Sequence, residues 1–317
     1  MKSILSITLS LLLSFCSMAQ QIPDTSFMFP IRQAAYQPGN GPVIFIDQAH
    51  HNMHTKDGGF FALSKLLGQD GYQVQPLSIP ATNVEVLKNC KILVIANALD
   101  SSNLENWILP NPSAFSKEEI LVIKLWVKNG GSLFLIADHM PFAGAAFSLG
   151  KAFGFEFING FAFPEENSWP PPVFTLEDQT LQQSPIVTGI KDYEKIDSVT
   201  TFLGSAFYAP DMSTPLLSFM SGITLQPDTA FRFHINTPWE NLARYHQGAI
   251  RSCGRGKIAV FGEAAMFTAQ IVNDSVNVGF NSEYAPQNAQ FTLNLIHWLD
   301  GVTEYASPVS VMKTTPP

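Results

Sequence analysis

Three short stretches of this sequence set imidazole and carboxylate side chains where acid–base or metal chemistry could use them. The densest is Asp47-Gln-Ala-His-His-Asn-Met-His54, which holds three of the chain's seven histidines, His50, His51 and His54. The second is Asp138-His139, and the third is the single carboxylate Glu263. Each stands close behind an apolar run: Val43-Ile-Phe-Ile46, Ser132-Leu-Phe-Leu-Ile-Ala137 and Lys257-Ile-Ala-Val-Phe261. Continuous apolar runs of this length read as strands buried on both faces. In a parallel sheet the strand ends share one edge, so residues far apart in sequence meet there.

Two chemistries suit such a set. Neutral imidazole and carboxylate are the usual ligands of Zn²⁺ or another divalent metal, with His50, His51 and His139 as candidate ligands. Asp47, Asp138 and Glu263 would then be the acid/base groups that take a proton from a bound water. The metal-free alternative stays open, because no HExxH is present and histidines also serve simply to hydrogen-bond loops. Asp47 and Asp138 have a plainer reading too, as caps of the loops that follow them. His54, Asn97 at the tip of another strand, and Arg232, Trp239 and His246 further along are candidates for holding a substrate. A nucleophile is poorly provided for. Neither Cys90 nor Cys253 follows a strand, and Gly204-Ser205-Ala206 lacks the GxSxG form. No P-loop or GxGxxG follows a strand, so no nucleotide cofactor is expected.

The elements that position these residues alternate between strand and helix. After Val43–Asp47 comes a helix with Phe60, Leu63, Leu66 and Leu67 at helical spacing, stopped by Gly71, and then a short strand at Tyr72–Gln75. Lys91–Ala96 is a further strand. Ser116-Lys-Glu-Glu119 is a capping box that opens a helix, and Asn129-Gly-Gly131 ends it. A helix from about 143 to 153 follows Asp138-His139, and a last one runs from 287 to 299, where His297 reads as a packed structural histidine. The predicted fold class is α/β, a mostly parallel sheet with helices on both faces and long rim loops. Residues 155–250 are rich in Phe, Pro and Asn without a sustained period, and read as a loop-rich insertion over the rim. Within it Asp197–Leu203 and Pro215–Met220 look like strands, which a partly antiparallel extension of the sheet would accommodate. The expected organisation is a signal peptide over 1–19, a single domain over 20–303 and a tail over 304–317.

The N-terminal Met1-Lys2, the apolar segment Ile4–Phe15 and the small residues Ser17 and Ala19 form a secretory signal, cleaved after Ala19, which places the chain outside the cytoplasm or in the periplasm. No other stretch is long and apolar enough to span a membrane, so an integral membrane protein is not expected. The formal net charge is −8 with no basic cluster, which argues against a nucleic-acid partner. Secretion permits a bridge between Cys90 and Cys253, yet two free thiols fit the sequence equally. Oligomeric state is not legible.

The runs Phe45-Ile-Asp47-Gln-Ala-His50, Trp126 to Phe142, Gly256 to Glu263 and Asn294-Leu-Ile-His-Trp298-Leu resemble a bacterial secreted family known only as a domain of unknown function (DUF4350-like). The resemblance implies a class I glutamine-amidotransferase-like fold, a flavodoxin-like sheet of the α/β class. In true amidotransferases the tip after Ser132–Ala137 would carry a nucleophilic cysteine, and here it carries Asp138-His139, so cysteine amidotransferase activity is not expected. The expectation is a secreted hydrolase, metal-dependent or not, acting on a small polar or carbohydrate-like substrate. The alternative is a non-catalytic ligand-binding or envelope-interaction domain.

Overall fold

A computed structural model describes residues 21–165 and 169–305 of the chain. The signal peptide expected over 1–19 and residues 306–317 of the expected tail lie outside the described residues. The principal sheet has nine strands: β1 Val43–Asp47, β2 Gln73–Leu77, β3 Cys90–Ala96, β4 Ser132–Ile136, β5 Glu156–Ile158, β6 Ala206–Tyr208, β7 Thr214–Ser218, β8 His246–Cys253 and β9 Gly256–Phe261. Their spatial order is β2-β1-β3-β4-β9-β8-β6-β5, with β7 on β8. The first four pairings are parallel. Those made by β8, β6, β5 and β7 are antiparallel.

The strands at the sheet's centre are apolar on both faces because successive side chains point opposite ways. Ile92, Val94 and Ala96 of β3 therefore join one core and Leu93 and Ile95 the other. The first core takes in Leu63 and Leu66 of α1 (Phe61–Gln69) and Phe291 and Leu295 of α5 (Asn288–Asp300). The second takes in Ile123 and Trp126 of α2 (Lys117–Lys128) and Ala146 and Leu149 of α3 (Phe142–Ala152). The capping box of α2 forms as read: Ser116 Oγ accepts from Glu119 N–H at 3.2 Å and Glu119 Oε2 accepts from Ser116 N–H at 3.0 Å. A one-turn helix, α4 (Pro185–Thr188), packs against α5.

The expected flavodoxin-like, mostly parallel sheet with helices on both faces is not what the chain builds. Strands predominate in mixed sheets, part of the set curls into a half-barrel, and helix accounts for 23% of the structure. The reason lies in residues 155–250. That stretch supplies β5 to β8, and three-stranded and two-stranded sheets built from Phe161–Phe163, Ile223–Leu225 and Trp239–Asn241 and from Val173–Thr175 and Ser198–Thr200. Most of these strands are three residues long, too short to show a period of two. The longest, β8, turns into β9 through Gly254-Arg255, where Gly254 has φ 62°. A two-residue hairpin with glycine first forces the partner to run antiparallel, so the parallel order ends at β9.

Cys90 and Cys253 are free thiols. The chain after Gly301 is tied down as far as Tyr305, whose O–H is hydrogen-bonded to Glu194. No helix among the described residues is long and apolar enough to cross a membrane.

Candidate functional site

The ends of β1, β3, β4 and β9 do meet at one edge, and their polar residues sort into two clusters. The first is built on β1. Asp47 is 1% exposed and ends the strand, and His50 turns back so that its Nδ1 lies 2.8 Å from Asp47 Oδ2. The other ring nitrogen, Nε2, lies 2.8 Å from Glu119 Oε1 on the first turn of α2. Asn52 completes the loop: its Nδ2 donates to Asp47 Oδ2 at 3.0 Å and to Ala96 O at 3.1 Å, and its Oδ1 accepts from His50 N–H at 3.1 Å. Burial alone would lower the His50 pKa, but the hydrogen bonds and charges of Asp47 and Glu119 outweigh it and raise the imidazole above its ordinary value of 6.5. For Glu119 burial is likewise outweighed, by the Ser116 N–H and by His50, and the carboxyl falls below 4.5. An imidazole between two acceptors must donate from both nitrogens, so His50 is an imidazolium clamp between strand and helix.

The second cluster lies at the tips of β4 and β9. Asp138 accepts from His139 N–H at 2.7 Å and from Ala264 N–H at 3.3 Å, and its own N–H donates to Asn97 Oδ1 at 2.9 Å. Glu263, 1% exposed, accepts from Ala265 N–H at 2.7 Å and Met266 N–H at 2.8 Å. Burial and the adjacent charge of Asp138 hold the Glu263 carboxyl well above the ordinary carboxylate range, overriding those two donors. His54 is also within electrostatic reach of Asp138, but burial dominates and pushes its imidazole down to about 4. The ring stacks on Phe60 at 5.1 Å and its buried Nδ1 has no partner. Gly59 makes room for it, since a Cβ there would come within 2.2 Å of Nδ1.

His139 points into aromatic surroundings. Its Nδ1 is 2.7 Å from Met140 O, its ring stacks on Phe161 at 4.4 Å, and Phe231 meets it edge-on at 4.9 Å. Trp107 stands 5.9 Å away and also stacks with Phe231. The segment that carries Phe231 is held in place by backbone pairing of 228–230 with 107–109.

The residues proposed from the sequence are therefore partly assembled. Asp138, Glu263, His54, His139 and Asn97 share the rim; Asp47 and His50 form a neighbouring, self-satisfied network. His51 is exposed, with φ 49°, and its charge is felt by Asp100 instead. His246 sits on β8, 3.0 Å from Ser218 Oγ, its pKa lowered by burial. Arg232 and Trp239 are exposed. Glu119, Asn52, Trp107 and Phe231 were not singled out as site residues. Glu119 carried a signal only as a helix cap, and nothing in the sequence points to its contact with His50, 69 residues away.

A metal fits this arrangement poorly. Both ring nitrogens of His50 are committed to carboxylates, and among the described residues no group of three or more His, Cys, Asp or Glu side chains is placed to hold an ion. We assign no step to a metal.

No family model matches the sequence, and no curated protein matches it. Among solved structures, the chain is similar to the N-terminal domain of mmIFT52, with a TM-score of 0.55 and 15% identity over 83% of this chain and 100% of that one. It is more distantly similar to a cytoplasmic protein of Salmonella typhimurium LT2, with a TM-score of 0.48 and 14% identity over 83% of this chain and 100% of that one. A ThuA-like protein from Bacteroides uniformis gives 0.43 and 12% identity over 86% and 95%. At 15% identity the first of these likenesses concerns fold alone.

Proposed function

We propose that the rim at Asp138 is the acid–base centre of a secreted hydrolase acting on a small polar or carbohydrate-like substrate. The observation that carries this reading is the meeting of two buried carboxyls, Asp138 and Glu263, at the tips of β4 and β9, where Asp138 Oδ2 accepts from the N–H of Ala264, the residue after Glu263, at 3.3 Å. Burial and the charge of Asp138 raise the Glu263 pKa and favour its protonated form, and carboxyls in unlike environments divide the roles of acid and base. Glu263, the more deeply buried, is the acid. Asp138, 9% exposed, is the base that takes a proton from the attacking water. His54, neutral because of its burial, lies beside Asp138 and adds no competing charge. His139 and its aromatic neighbours form the wall against which the substrate lies. Kinship with the uncharacterised secreted family rests on the strand-tip runs and belongs to this proposal.

The test is a panel of chromogenic glycosides, acyl esters and phosphate esters, assayed with the wild-type protein and with Asp138→Asn. Turnover of one class, falling about 10²-fold or more in the variant, supports the reading. Turnover that survives Asp138→Asn sinks it. A second reading, a non-catalytic ligand-binding domain, is favoured by the aromatic surface beside the cluster, where Phe231, 46% exposed, packs with Trp107 and His139 and offers a face for a sugar to stack on. Saturable glycan binding without turnover, unaffected by Asp138→Asn, would select it.

A further inference from the structure

We propose that a cleft between the N-terminal arm and α5 is a binding site for a small apolar carboxylate. Its volume is about 260 Å³. A cavity of roughly 150 Å³ holds a benzene molecule, so this one has room for a single substituted ring. None of its lining residues belongs to the rim.

Its chemistry is one-sided. Arg32, Lys195, Gln287 and Gln290 line it and no carboxylate does, in a chain whose formal net charge is −8. The Arg32 guanidinium lies over the Tyr193 ring, 5.0 Å from its centroid, and among the described residues no carboxylate lies within ion-pair distance of it. A cation–π contact of this kind holds the guanidinium near the ring while leaving its N–H donors available to an oxyanion. Gln287 also lines the cleft. Its Oε1 accepts from Asp197 N–H at 2.8 Å and Ser198 N–H at 2.9 Å, so its Nε2 is the atom left to donate. Lys195 adds a second positive charge, shared with Asp192 at 3.0 Å. Phe29, Pro30, Ile196 and Pro286 contribute apolar surface to the same cleft. Cationic and amide donors beside apolar surface match a carboxylate attached to a ring or short chain, and a bare inorganic anion would leave the apolar surface unused.

Titration calorimetry on the full chain at constant ionic strength, with sodium benzoate as the probe, tests this. Saturable binding is expected, weakened about tenfold or more by Arg32→Ala and less by Arg32→Lys. Benzamide, with the same ring and no charge, is expected to bind about tenfold or more weakly than benzoate. The melting temperature of each unliganded variant establishes that it is folded; Arg32 is exposed, so none is expected to lose stability. Absence of saturable benzoate binding, undiminished affinity in Arg32→Ala, or equal affinity for benzamide or inorganic phosphate would each overturn the assignment.

Discussion

Replacing His54 by Gln should flatten the pH dependence of stability by an amount the structure fixes. Burial pushes the folded-state imidazole down to about 4, and in the unfolded chain it returns to 6.5. A group whose folded pKa is depressed favours the fold fully above its unfolded value, and that advantage is lost as the unfolded state takes up protons the fold refuses. The window is therefore pH 6.5 down to about 4. Linkage over it gives a loss of about 2 kcal/mol between pH 7 and pH 5, growing to about 3 kcal/mol by pH 4. Gln has no proton to gain and keeps a polar tip of similar reach. It also forfeits the stacking on Phe60, but that loss is the same at every pH and cancels in the difference. The measurement is urea unfolding of both proteins at pH 7 and pH 5. The expected result is that wild type loses about 2 kcal/mol more than the variant over that interval. Parallel losses, agreeing within about 0.5 kcal/mol, would show that the ring is hydrated in the fold and that its burial at the rim has been misjudged.

Three further outcomes follow from the same geometry. His50→Ala leaves Asp47 and Glu119 buried and facing no cation, and should cost about 3–5 kcal/mol in urea unfolding at pH 6. Because the folded pKa of His50 is raised, its contribution is complete below 6.5 and fades as pH rises through the folded value, so the gap between wild type and variant should narrow from pH 6 to pH 9; a constant gap would refute the clamp. Gly59→Ala drives a methyl into His54 Nδ1, and should destabilise by about 1–3 kcal/mol and move the imidazole pKa towards 6.5, read by NMR titration; an unshifted ring would mean that the loop simply yields. Glu263→Gln copies the protonated carboxyl. Since the folded pKa of Glu263 is raised, wild type should lose stability relative to this variant as pH rises above 4.5 towards the folded value, and a difference independent of pH across that range would show that Glu263 is ionised in the fold.

What the sequence revealed was set by the length of each signal. Val43–Asp47, the Ser116 capping box and the last helix were readable because an apolar run, a capping pattern or a helical period extends over several residues, and all three appear within a residue or so of where they were placed. Within α2 the apolar run Leu125-Trp126-Val127 does not all face inward: Trp126 and Val127 are buried and Leu125 is 58% exposed. The antiparallel half was legible only in part: the strand read at Pro215–Met220 forms as Thr214–Ser218 and pairs antiparallel, while strands of three residues carry almost no period and their partners are set by tertiary packing. A local clue, Gly254-Arg255 between two strands, sits where a two-residue hairpin with glycine first would put it.

The convergence of strand tips was legible, but the pairing of charges within the rim was not, and the pairing decides what each histidine can do. His50 looked like a ligand because it follows a carboxylate at strand end; in the fold a second carboxylate, Glu119, arrives from α2 and saturates it. His54 looked like a substrate contact and is instead the most deeply buried imidazole of the loop, with one nitrogen unpartnered. An orphaned buried nitrogen costs about 1–3 kcal/mol, and a left-handed backbone at a residue with a side chain costs a comparable amount. His51, Asn97 and Phe231 all have positive φ, at 49°, 47° and 62°, and belong to the loops that carry or cover this rim. A rim that served only to join strands would gain by shedding these costs, through glycine at the positive-φ positions and an apolar residue at 54. The proposed function gives them a use, because a charged pair held against its solvation preference requires rigid loops. If glycine at 97 or leucine at 54 raises stability while leaving both ligand binding and turnover intact, the rim is structural and the hydrolase reading falls with it.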